Sequence, residues 1–231
     1  MTERQTDSGV QYCYQLRQCS CELAYEQERM GELAAREKQS RIDFCWGQCN
    51  LTGEYRTMRL DREDWHVGQR PMVARACKWL IERTGSVYLV GHNGCGKSNV
   101  AAGLVRECCD RGILAFWAGW ESFVEDIRLS NKDMDHYITR LSQVEILVWD
   151  DFCRTEPTKW CLDVITRVVY NRANNGRPIW FTANWDVDAK LELLIGGGNV
   201  SRIGGMCGGD RIEAPRDVPD FRIKDGPWWA E

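Results

Sequence analysis

One run in this chain has the residue types and order that suit phosphate chemistry: Gly91-His92-Asn93-Gly94-Cys95-Gly96-Lys97-Ser98. The spacing is G-x-x-x-x-G-K-[ST], the P-loop pattern, and its logic is geometric. Small residues let successive backbone N–H groups curl around phosphate oxygens, and the positive end of the helix that follows faces the same anion. Lys97 reaches the outer phosphates, the Ser98 hydroxyl is placed to hold Mg2+, and Asn99 continues the lining. A nucleoside triphosphate with its magnesium ion is the ligand such a loop takes.

A second run, Ile146-Leu147-Val148-Trp149-Asp150-Asp151, is an apolar stretch closing in two acids. Mg2+ asks for hard oxygen ligands, which a buried strand ending in a carboxylate supplies in a fixed position. Asp150 is assigned to the metal, and Asp151 to polarising the attacking water. The run Pro178-Ile179-Trp180-Phe181-Thr182-Ala183-Asn184 repeats the design with an amide at its end. In a parallel sheet that end opens on the same crevice, where Asn184 can hydrogen-bond the γ-phosphate or the water. GTPases usually read guanine with N-K-x-D, and Asn131-Lys132-Asp133-Met134 lacks the Asp in fourth place, so ATP is the expected nucleotide.

These groups need a frame. Val87-Tyr88-Leu89-Val90 reads as a buried strand before the loop, and Val100, Leu104, Val105 and Cys108 mark one side of a helix that Gly112 stops. Ile113 to Trp117 reads as the next strand. Trp160, Cys161, Val164, Ile165, Val168 and Val169 form the apolar face of a later helix. Upstream, Pro71 opens a helix with Val73, Ala76, Cys77, Leu80 and Ile81 inward and Gly85 at its end. Apolar strands alternating with amphipathic helices give an α/β fold, the P-loop NTPase parallel sheet with helices on both faces.

Residues 1-55 differ in character. They hold Cys13, Cys19 and Cys21, then Cys45 and Cys49, separated by a charged stretch from Glu22 to Arg41 that reads as a solvated helix. A helical hairpin joining Cys19, Cys21, Cys45 and Cys49 would suit structural Zn2+, with Cys13 able to replace one of them. Free thiols are the other reading, because neither spacing is the C-x2-C knuckle. The expected division is therefore 1-55, a small partner-binding segment, and 56-231, an ATPase domain. A polar N-terminus and no apolar run of membrane-spanning length lead us to expect a cytoplasmic protein with no membrane partner, and its 12 cysteines are then no disulfide framework. A net charge of -4 gives no support for coating nucleic acid by bulk electrostatics.

Taken in order, GHNGCGKS, ILVWDDF, TKWCLDVITRVVYNR, FTANW and the late SRIGG resemble the AAA+ ATPases of the helicase-loader group, the DnaC-like and IstB-like proteins. The C-x-C-E-L-A stretch and L-T-G-E-Y-R-T-M-R-L are similar to the N-terminal portions of phage and bacterial loaders. The resemblance implies that Asn184 holds the sensor 1 position and that Arg202 is an arginine finger reaching the ATP of a neighbouring subunit, with Arg211 as the alternative. A guanidinium supplied in trans makes hydrolysis depend on assembly, hence a homo-oligomer. Gly196-Gly197-Gly198 and Gly204-Gly205 are expected to leave Arg202 on a flexible segment, and Pro215, Pro219 and Pro227 to leave little or no C-terminal lid. The implied function is a loader that docks on a replicative helicase, places it around single-stranded DNA and leaves on hydrolysis. The alternatives are an IstB-like transposition helper ATPase on duplex DNA and a nucleotide-gated adaptor without catalysis. Asp rather than Glu at position 151 shortens the reach to water and points to slow, switch-like hydrolysis. Steady-state phosphate release is expected to stay below about ten turnovers per second, the middle of the range for enzymes.

Overall fold

A computed structural model describes residues 2–6, 9–13, 20–129 and 134–223, those up to residue 22 through the backbone alone. The chain divides into two compact units, Met1–Arg41 and Ile42–Glu231. The first contains an antiparallel pair, β1 (Thr2–Thr6) and β2 (Gly9–Cys13), with Thr2 opposite Cys13, and most of the long helix α1 (Ser20–Gln48). A strand pair and one continuous helix thus stand where a helical hairpin was expected. The second unit begins at Ile42, upstream of residue 56, because Cys45, Cys49 and Leu51 are buried in one apolar cluster with Trp79, Leu89 and Leu104.

That second unit is built on five parallel strands: β3 (Val87–Val90), β4 (Ala115–Gly119), β5 (Ile146–Asp150), β6 (Ile179–Ala183) and β7 (Arg211–Glu213). Their order in the sheet is β4-β5-β6-β3-β7. Successive side chains of a strand point to opposite faces, and the sequence exploits this on both. Leu89, Trp117, Val148 and Trp180 enter one core, while Tyr88, Phe116, Trp149 and Phe181 enter the other. Helices α2 (Arg70–Glu82) and α3 (Lys97–Asp110) cover the first face. The second is covered by α4 (Trp120–Leu129), α5 (Met134–Gln143), α6 (Lys159–Asn174), two short helices α7 (Trp185–Asp188) and α8 (Leu191–Ile195), and α9 (Gly197–Cys207). Insertion of β6 between β5 and β3 brings the ends of all three strands side by side. After β7 the described chain runs to Ile223 with no further helix, as expected of an abbreviated lid. Among the described residues no helix is long and apolar enough to cross a membrane.

Four local expectations change. In α2 the buried residues are Met72, Ala76, Trp79 and Leu80, whereas Ile81 is 82% exposed and Cys77 exposed. Trp79, the bulkiest of them, takes the interior and donates its indole N–H to Gly85 O at 3.1 Å. The left-handed cap is Arg83 (φ 59), whose N–H bonds Trp79 O, so Gly85 follows the helix end instead of making it. Trp160, placed on the apolar face, is 70% exposed in the first turn of α6. The glycine-rich stretch around Arg202 is the helix α9. Buried Ile203 and Cys207 and the Asn199 amide, bonded to Ile195 O and Thr166 Oγ1 at 2.9 Å each, override the poor helix propensity of glycine.

Arg172 in α6 is fully buried and serves as an internal fastener. Its Nη1 donates to Leu141 O (2.7 Å) and Val144 O (3.0 Å), and its Nη2 to Pro178 O (2.5 Å) and Glu145 O (3.4 Å). One guanidinium thus closes the carbonyl end of α5 and ties the approaches to β5 and β6. Burial, with Arg177 nearby, pulls its pKa down to about 9, so it stays charged at neutral pH. Replacing Arg172 by Ala strands these carbonyls away from water. The unfolding free energy from denaturant titration is expected to fall by about 3 kcal/mol.

Candidate nucleotide-binding site

Between the end of β3 at Val90 and the start of α3 at Lys97, residues 91–96 form the loop. Gly96 has φ +96°, and a Cβ there would stand 2.2 Å from Gln69 Nε2. Gln69 is buried and donates to Cys95 O at 3.0 Å, so glycine is needed both for the turn and for this close brace. Lys97 is only 4% exposed. Its three ammonium hydrogens reach Gly91 O (3.0 Å), His92 O (2.9 Å) and Asn184 Oδ1 (3.1 Å). The lysine of the loop and the amide just after β6 therefore meet directly.

Asp150 ends β5 and is buried, 6% exposed. Its Oδ1 accepts from Thr182 Oγ1 at 2.7 Å, and Thr182 Oγ1 in turn accepts the backbone N–H of Asp151 at 2.9 Å. Ser98, in the first turn of α3, lies on the same side and favours the charged form of this carboxylate. Burial and the neighbouring Asp151 push Asp150 up to about 6, against the pull of Thr182, Ser98 and Lys97. Asp151 itself has φ 49°, and Phe152 N–H bonds Thr182 O at 2.8 Å just beyond it. Short polar side chains tolerate this left-handed turn best. The aspartate at this position thus has a backbone reason of its own. Its carboxylate meets Arg154 Nη1 at 3.3 Å.

Beside these groups lies a pocket of about 260 Å³, and the buried Asp150 is not among its lining residues. Asn93, Gly94, Gly96, Lys97, Ser98, Asn99, Asp151 and Asn184 line it as the motifs predict. Gly91, His92 and Cys95 sit behind the loop. Gly91 packs close to Ala214, Cys95 is buried, and the His92 ring lies 5.6 Å from that of Trp185. Four further lining residues escaped the motifs: Glu54, Tyr55, Phe221 and Arg222. Tyr55 belongs to a short 3-10 helix, Gly53–Thr57, and its ring packs on Trp117 with centroids 5.0 Å apart. Phe221 N–H donates to Gly94 O at 3.2 Å. Thr182, equally central, could have been found: it is the polar residue inside an otherwise apolar strand. Nothing comparable marks Tyr55 or the tail. A serine hydroxyl, a buried carboxylate and a second acid close together are hard oxygen donors, and the residues present fit Mg2+.

Arg202 lies exposed on α9, donating to Gly198 O at 3.2 Å with its guanidinium 5.5 Å from the centre of the Tyr170 ring, and it does not line its own chain's pocket. Arg211 is held by Asp188 (2.7 Å) and Glu213 (3.0 Å). Cys45 and Cys49 are packed as small apolar residues, and the Cys49 thiol donates to Trp46 O at 3.4 Å. Among the described residues no group of three or more His, Cys, Asp or Glu is suited to a metal. Cys19 and Asn131 to Asp133 lie outside the described residues, as do the side chains of Cys13 and Cys21.

The fold has counterparts among solved structures. The DnaC helicase loader superimposes with a TM-score of 0.60 at 18% identity, over 71% of this chain and 100% of that one. DnaI gives 0.61 at 18% identity, over 73% and 96%. The fold is that of DnaC and DnaI. DnaA from Aquifex aeolicus, solved with AMPPCP bound, gives 0.59 at 15% identity over 71% of this chain and 51% of its own. In sequence, a family model described as RNA helicase matches residues 87–174, the stretch from β3 to the end of α6. An ATP-binding protein from an insertion sequence of Mycobacterium tuberculosis is 30% identical over 111 residues. That match covers 47% of this chain and 44% of the relative, so the chain spans less than half the length of that relative.

The raised pKa of Asp150 fixes a sign for stability. An acid whose folded pKa, about 6, exceeds its ordinary 3.8 binds more protons folded than unfolded between those values, so its contribution is full below pH 3.8 and is lost as pH rises through 6. In Asp150→Asn this component disappears. The nucleotide-free variant is expected to melt above wild type at pH 7 and to lose that advantage as the pH is lowered toward 4, as scanning calorimetry across that range checks.

Proposed function

We propose that this chain is an ATPase that loads a replicative DNA helicase onto single-stranded DNA, with hydrolysis as the release switch. The observation that carries the nucleotide part is the meeting of Lys97, Ser98, Asp150 and Asn184 at the carboxyl ends of neighbouring strands. Lys97 binds the outer phosphates, and the backbone N–H groups of the loop cradle the inner ones. Mg2+, when bound, neutralises phosphate charge, and Ser98 and Asp150 are the residues that would hold it. Asp151 orients the attacking water, its carboxylate steadied by Arg154. Asn184 fixes the γ-phosphate. Arg202 is exposed and outside its own pocket, which suits a finger offered to the ATP of a second copy in a homo-oligomer.

The loader reading draws support from the fold shared with DnaC and DnaI. It also draws on the exposed Leu23, Tyr25, Met30 and Leu33 of α1, an apolar surface of the N-terminal segment for a protein partner. The insertion-sequence relative favours a second reading, a transposition helper ATPase acting on duplex DNA. Pull-downs with replicative helicase and with duplex DNA, each in ATP and in ADP, separate the two. A loader retains helicase in ATP and releases it in ADP, and Asp151→Asn retains it after ATP is added and chased. Capture of duplex DNA in ATP without helicase selects the transposition reading, and partner release unchanged in Asp151→Asn removes hydrolysis as the switch.

A further inference from the structure

Helices α6 and α9 meet through two side-chain ties on successive turns. Thr166 and Tyr170 stand four residues apart in α6 and share one face of it, and Asn199 and Arg202, three apart, share one face of α9. The Asn199 amide donates to Thr166 Oγ1 at 2.9 Å. At the next turn the Arg202 guanidinium lies over the Tyr170 ring, 5.5 Å from its centre. The first tie is made by a buried amide beside buried Ile203, and it fixes where α9 sits. The second is at the surface, where Tyr170 is 50% exposed and Arg202 exposed.

The contacts of Arg202 hold its guanidinium without using it up. Nη1 donates to Gly198 O at 3.2 Å, one turn back along the same helix. The ring attracts the guanidinium through its charge and takes none of its hydrogens. Among the described residues Arg202 has no carboxylate partner, unlike Arg211, which Asp188 and Glu213 hold. A surface arginine ordinarily gives up the rotamer freedom of a long side chain when it reaches a phosphate, whereas one already seated over a ring has given it up beforehand. Gly198 and Gly205, one turn to either side on α9, offer no side chain to confine it, and the ring from α6 supplies the contact they lack.

We propose that Tyr170 is a positioning residue for the arginine finger, holding the Arg202 guanidinium ordered and with N–H donors to spare before it meets the triphosphate of a second copy. The proposal rests on the reading of Arg202 given above and deepens it. A tyrosine that merely covered the surface of α6 would be replaceable by leucine without effect on turnover.

The test measures phosphate release at saturating ATP, at a protein concentration where turnover per subunit no longer rises, for wild type, Tyr170→Leu, Tyr170→Phe, Arg202→Ala and the Tyr170→Leu, Arg202→Ala double variant. Loss of an exposed cation–π contact is expected to lower the kcat of Tyr170→Leu about threefold, with mant-ATP affinity at the wild-type value. Tyr170→Phe keeps the ring and stays at wild-type kcat. In the Arg202→Ala background Tyr170→Leu adds nothing, because the group it orders is already gone. Mixing assigns the effect to the lending copy: Lys97→Ala with Arg202→Ala regains turnover, and a Lys97→Ala copy that also carries Tyr170→Leu regains about a third as much. Equal kcat in wild type and Tyr170→Leu, a Tyr170→Phe as slow as Tyr170→Leu, or a loss that persists without Arg202 overturns the assignment while leaving the finger in place. Arg202→Ala at wild-type turnover, mixed variants that stay inactive, or a wild type without turnover instead brings down the finger reading and this proposal with it.

Discussion

A carboxylate kept from water at the end of β5 needs partners, and the elements around it supply them. An unpaired buried charge costs several kcal/mol, so Asp150 constrains its whole neighbourhood. Thr182 must come from the adjacent strand, which requires β6 beside β5. Ser98 must come from the first turn of α3, which requires the loop after β3 to close tightly enough to aim that helix at the same point. The strand order, the glycine at 96 and the brace from Gln69 all serve this convergence. Two acids in succession place hard carboxylate oxygens together at the end of one strand.

The parts of this arrangement legible in the sequence are those where one local rule dominates. Continuous apolar runs became buried strands because both faces of the sheet are covered, and the loop motif was legible because its chemistry allows few alternatives. Where two rules competed, the bulkier or better bonded group prevailed: Trp79 turned α2 against the simple periodic face, and Asn199 with Ile203 made a helix of a glycine-rich stretch. Arg172 was invisible for a related reason. A charged residue on an apolar helical face looks solvated until the carbonyls around it are known. Tyr55 lies more than forty residues before Ser98 in a stretch without periodicity, and only the folded chain brings it to the pocket.

The likeness to DnaC and DnaI at 18% identity fits this division. A frame defined by buried apolar volume and a handful of polar contacts tolerates replacement of most of its residues. What surrounds the frame is free to differ. In this chain the upstream segment lies on β4 and α3, and the tail after β7 crosses the loop at Gly94.

The seating of Cys49 and Asn50 on Trp117 has one more consequence. β4 ends the sheet, and an outer strand with free backbone groups is a template onto which another chain can add. Here the N–H and C=O of Trp117 are already taken by residues 49 and 50, and the opposite border, β7, is three residues long and carries Arg211 and Glu213. Both margins are blunted against strand-to-strand growth. Extension of this five-stranded sheet by a second copy is thereby disfavoured at either border.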